Sequence, residues 1–137
     1  MSRAAVAILA VVLGLAPAAT ATAGRGDVRA ATSVAIDVVT DNSEYAIVFG
    51  SIDSNKPRCR DNRRVLVTLV PQSGPDFRFD VARTGGGGGW FALRPSDAVD
   101  ALGPIASVRV EVARRKVPLA GGRALICGKA RRIVPTV

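Results

Sequence analysis

Cys59 and Cys127 are the only cysteines in the chain, and they stand far apart in the sequence. A redox pair normally sits within a short Cys-x-x-Cys, and this spacing is far longer. In a chain that opens with an export signal, an even cysteine count points first to a structural disulfide. Closing so long a loop contributes a nominal entropic stabilisation of about 4 kcal/mol. The alternative chemistry is a reactive thiol, because Arg58, Arg60, Arg63 and Arg64 surround Cys59 in sequence and would favour its thiolate.

The chain contains no histidine, which excludes a Ser-His-Asp triad, a Cys-His pair and every imidazole metal site. Carboxylate pairs remain, namely Asp97 with Asp100 and Asp41 with Glu44. Glycosidase-type work needs such a pair facing across an aromatic-lined cleft, and one Trp and one Tyr line little of a cleft. A wet turn or a helix cap is the plainer reading of both pairs. Calcium could be held at Asp53-Ser54-Asn55 or Asp41-Asn42-Ser43-Glu44, yet neither carries the alternating oxygen ligands and glycine of a calcium loop. Five glycines from Gly85 to Gly89 suggest a phosphate cradle, but no Gly-Lys-Ser/Thr and no helix pattern follow. The expectation is no catalytic residue, no metal and no cofactor.

Basic residues outnumber acidic ones by 19 to 11, a balance that favours anionic partners. They cluster at Arg58 to Arg64, Arg114-Arg115-Lys116 and Lys129 to Arg132. A Cys59–Cys127 bridge would tether the first cluster to the third, so Arg58, Arg60, Arg63, Arg64, Arg131 and Arg132 form a candidate anion-binding patch. The plainer reading makes them a solvated turn and ordinary solubilising charge. Nucleic acid is not expected as a partner, because no aromatic stacking platforms lie among these residues. An anionic cell-surface polymer, or another extracellular protein, fits better.

These residues need a frame to position them. Met1-Ser2-Arg3 followed by an apolar run from Ala4 to Ala16, then Pro17 and Ala21-Thr22-Ala23, has the three parts of a secretory signal peptide with its cut after Ala23. The run is short for a retained membrane anchor, so no stable membrane insertion is expected. The organisation read from the chain is a signal peptide at 1–23, a flexible lead-in at 24–32 and one domain at 33–137, secreted to the extracytoplasmic space.

Within the domain, period-two patterning dominates. Val34, Ile36 and Val38 alternate with neighbours, as do Tyr45, Ile47 and Phe49. The run Val65 to Val70 is apolar on both faces and stops at Pro71, as a central strand would. Phe77, Phe79 and Val81 should be buried, with Arg78 and Asp80 wet. Gly85 to Gly89 then reads as a loose loop joining that strand to Trp90–Leu93 in a hairpin. Pro95-Ser96-Asp97 to Leu102-Gly103 is the one helical piece, with Ser96 as cap and Gly103 as stop. Val108, Val110 and Val112 form another strand. Gly121-Gly122 marks a turn, Arg123 to Ile126 a short strand, and Arg131 to Val137 an edge containing Pro135. About seven short strands at this spacing give an all-β sandwich.

The stretch from Phe49 to Cys59 with Arg63-Arg64-Val65-Leu66-Val67-Thr68-Leu69 resembles the opening of secreted bacterial Ig-like and prealbumin-like (transthyretin-like, carboxypeptidase regulatory-like) domains. Gly89-Trp90-Phe91 resembles the hairpin exit of that family, and Cys127-Gly128-Lys129-Ala130-Arg131-Arg132 its ending before the last strand. Two departures are Gly88, where the family places aspartate, and the segment 94–106, which lacks a proline-glycine-tyrosine turn. The resemblance implies a β-sandwich used for adhesion, spacing or structure, without catalytic residues. The expected function is a secreted, non-catalytic binding or structural module. The alternative is a small secreted enzyme or enzyme inhibitor acting through an exposed loop.

Overall fold

A computed structural model of the protein describes residues 26–136. The expected signal peptide and its cut lie outside the described residues. In chain order the elements are β1 (Val28–Ala30), β2 (Ser33–Asp41), β3 (Tyr45–Asp53), a helical turn α1 (Pro57–Arg60), β4 (Arg64–Pro71), β5 (Phe77–Arg83), β6 (Gly89–Pro95), α2 (Ser96–Asp100), β7 (Ile105–Val112), β8 (Arg115–Pro118), β9 (Ala124–Cys127) and β10 (Ala130–Pro135).

They form three sheets, ordered β10-β7-β4-β5, β2-β3-β6 and β1-β9-β8. The first two face each other across one apolar core that includes Val48, Ile52, Val67, Phe79, Trp90 and Val110. Burial of such side chains contributes about 1.5–3 kcal/mol each, so this layer carries most of the fold's stabilisation. The third sheet caps one end, packing Ala30, Val117 and Leu125 around the Cys59–Cys127 disulfide. That bridge is formed, with the two Cα atoms 5.3 Å apart.

β4 sits between β5 and β7 and ends at Pro71, as its two-faced apolar run requires. The other strands show where local patterning misleads. In β3 the small face, Ala46, Val48 and Gly50, is buried, while Tyr45 and Phe49 are exposed. Gly50 is what lets this face close. A Cβ there would meet the Ala35 carbonyl and sit 2.8 Å from the Trp90 ring. β2 carries a bulge between Ile36 and Val38, so Val34 and Ile36 pair with Ile52 and Gly50 but Val38 pairs with Phe49. A second bulge skips Phe79, which is buried, and leaves Val81 opposite Leu66 and only half-buried.

Three further expectations are corrected. β5 and β6 are not a hairpin: β5 pairs with β4 and β6 with β3, so the chain crosses from one sheet to the other between them. They meet as neighbouring sheet edges, where Arg94 Nε donates to the Phe79 carbonyl at 2.6 Å. Nor is the glycine run a loose loop. Gly85 N–H donates to the Gly89 carbonyl and Gly88 N–H to the Gly85 carbonyl, both at 3.0 Å. Residues 26–32 are no simple flexible lead-in either, since β1 pairs in parallel with β9, Ala30 lying opposite Cys127.

Candidate functional site

The disulfide end is organised by Arg63. Its side chain is 1% exposed, the largest of the fully buried ones. Nη1 donates to the Cys59 carbonyl at 2.7 Å and to Thr32 Oγ1 at 3.1 Å, and Nη2 donates to the Ala113 and Gly128 carbonyls at 2.8 Å each. Burial, and after it the charge of Arg115, lowers its pKa from the ordinary guanidinium value. A guanidinium nonetheless keeps its charge in proteins, so the four acceptors compensate a buried cation. Its fork of donors suits the task, because it reaches separate chain segments in fixed directions. Arg63 therefore does not belong to an exposed patch, and the expectation of a solvated turn fails for it.

The remaining patch residues divide. Arg64 lies on β4 and Arg131 on β10, and both line a groove of about 710 Å³ with Leu66, Glu111, Arg114 and Lys129. The strand register explains this meeting. Leu66 and Arg131 both stand opposite Glu111, and since partners share a face, all three occupy the outer face of the four-stranded sheet. Arg132 is opposite the buried Val110 and so is out of phase with Arg131. Arg58 and Arg60 sit on α1, which packs against β3, and Arg60 lies beside Gly88. They are not lining residues of this groove.

Four cationic side chains and one carboxylate, Glu111, thus line the same groove, and Glu111 is 3.7 Å from Arg131 Nε and, outside the groove lining, 3.6 Å from Arg109 Nε. A second hollow, lined by Arg29, Arg114 and Lys129 among others, continues the surface toward β1. Arg114 and Lys129 follow directly after Ala113 and Gly128, the two carbonyls that Arg63 Nη2 holds. The clusters containing them are plain in the sequence. Their convergence is not, because it depends on which strands pair.

The other candidate residues lie at the opposite end. Ser96 does not cap α2: its single Oγ–H lies between two acceptors, Asp41 Oδ1 at 2.7 Å and the Asn42 carbonyl at 2.6 Å, and Pro95 holds the cap position. Asn42 Oδ1 accepts from the Glu44 and Tyr45 backbone N–H groups, closing the β2–β3 turn. Asp100 is raised above the usual carboxyl range, first by desolvation, then by the nearby carboxylates of Asp41 and Asp97. The carboxylates that the fold brings together from distant parts of the sequence are thus Asp41 and Asp100. At the other calcium candidate, Asp53 Oδ1 accepts from Ser54 N–H and Ser54 Oγ from Lys56 N–H. Among the described residues, no group of three or more acid or cysteine side chains is placed to hold a metal ion.

No family model, curated protein or solved structure matches this chain. Among the described residues, no helix is long and apolar enough to cross a membrane.

Proposed function

We propose that this chain is an exported, non-catalytic module with an Ig-like or prealbumin-like sandwich, and that it holds anionic polymers in the groove lined by Arg64, Arg114, Lys129 and Arg131. One observation carries the reading: four cations and a single carboxylate line one groove on a scaffold held by a buried arginine and a disulfide. Solubilising charge needs no such convergence, since dispersed surface residues serve equally well. A shallow cationic surface on a rigid sheet suits a flexible polyanion, whose repeating charges can each meet one cation. Export is supported by the signal-like residues 1–23 and by the disulfide, which persists in oxidising compartments.

The test is binding to dextran sulfate, with uncharged dextran as control, over a range of salt concentrations. Binding should weaken steeply as salt rises, because screening acts over about 10 Å at 0.1 M. Arg64→Glu with Arg114→Glu should weaken binding about tenfold more than Arg58→Glu with Arg123→Glu, which makes the same change of net charge away from the groove. Equal losses from the two pairs would show that net charge alone drives association.

A further inference from the structure

The two large sheets leave an opening where the β2 and β10 edges face each other. Both are edge strands, each hydrogen-bonded to a neighbour on one side only. Between them runs a groove of about 460 Å³. Its floor is the sandwich core at Val48, Leu69 and Phe79, and Val39 and Val134 stand at its sides. Val39 is 43% exposed, an apolar side chain left to water at the mouth of an apolar groove.

Shape and charge select the occupant. An added β-strand would need roughly 9.6 Å between the flanking edges, twice the usual strand spacing. β2 and β10 have Cα atoms within 8 Å of each other, too close for a strand between them, while the groove's volume of about 460 Å³ has room for a single alkyl chain. Among the described residues, the only charged ones lining the groove are Asp37 and Asp41, in a chain where basic residues predominate. Asp37 is placed there by the β2 bulge, and Asp41 ends the strand beside Asp100.

We infer that this groove binds an alkyl chain bearing a cationic head, with the chain on Val39, Val48, Leu69, Phe79 and Val134 and the head at one of the two carboxylates, Asp37 or Asp41, which lie four strand positions, about 13 Å, apart. The site opens on the core side of the four-stranded sheet, whereas the basic groove lies on its outer face, and either reading can fail without the other. A carboxylate head of the same length meets like charge at Asp37 or Asp41. An alcohol gains the apolar contact alone.

Calorimetric titration with decylammonium, decanol and decanoate below their aggregation concentrations tests the assignment. Decylammonium should bind saturably and at least about tenfold more tightly than the other two, as expected for a charge-assisted contact. Asp37→Asn with Asp41→Asn should remove that preference and leave decanol binding unchanged. Val39→Trp, at a position exposed enough to accept the larger ring, should weaken all three by about tenfold or more. Decanoate binding as tightly as decylammonium, affinities indifferent to Val39→Trp, or no saturable binding of decylammonium would each overturn the inference.

Discussion

Arg63 Nη1 donates to the carbonyl of Cys59 at 2.7 Å, so a buried guanidinium fastens the residue that forms half of the disulfide. The same guanidinium reaches Gly128, the residue after Cys127. Both ends of the bridge are therefore held by one side chain as well as by the S–S bond.

Replacing Arg63 by Met leaves four acceptors, that of Cys59 fully buried, without their donor, and should cost roughly 3 kcal/mol in chemical denaturation. Arg63→Lys keeps the charge but not the fork, and should lose roughly half as much. Arg64→Met, at an exposed neighbour, should change stability by no more than about 0.5 kcal/mol. Similar costs at positions 63 and 64 would contradict the keystone role of Arg63.

The disulfide spans 68 residues of sequence, a separation for which loop closure contributes about 4 kcal/mol. Cys59→Ser with Cys127→Ser should lower stability by about 2–5 kcal/mol and make unfolding insensitive to added reductant. The wild-type protein should lose a similar amount when reduced. Denaturant midpoints with and without dithiothreitol measure both.

Gly88 has a φ of +91°, and its carbonyl accepts from the Ile52 N–H at 2.8 Å. A Cβ there would meet the Ile52 carbonyl and sit 3.3 Å from Arg60 Cβ. Gly88→Ala should cost about 1–3 kcal/mol through left-handed strain and the close approach. Gly86→Ala, with open space around it, should be nearly neutral or slightly stabilising. Thermal unfolding of the two variants separates a required glycine from an incidental one.

Asp100 has a raised pKa in the folded protein, first from desolvation and then from Asp41 and Asp97. Between the unfolded and folded pKa values the native state holds more protons, so stability falls as pH rises through that window. Above it the ionised carboxylate is a constant penalty. Asp100→Asn should therefore raise the melting temperature at pH 7. Its advantage should shrink as pH falls through the folded pKa and vanish once Asp100 is protonated in both states. A gain that is independent of pH would point away from the carboxyl cluster.

Much of the strand content was legible in the sequence, because alternation, β-branched runs and proline or glycine stops are local signals. Val65 to Val70 reads as a central strand since both faces are apolar, and Pro71 ends it because it cannot donate to the ladder. The disulfide was legible for a similar reason: two cysteines in a chain with an export-like start leave one simple pairing. Partner choice was not legible, because hydrogen bonds between strands are made by backbone groups that every residue carries. β5 and β6 are adjacent in sequence yet join different sheets. Face assignment also needed the tertiary structure. A one-residue slip turns side chains to the other face, and the bulges near Asp37 and Phe79 do this within single strands. Arg63 and Arg64 show the limit most clearly. They are identical in type and consecutive, and period two sends them to opposite sides. Only the convergence of Cys59, Ala113 and Gly128 around the first decides that it is the buried one.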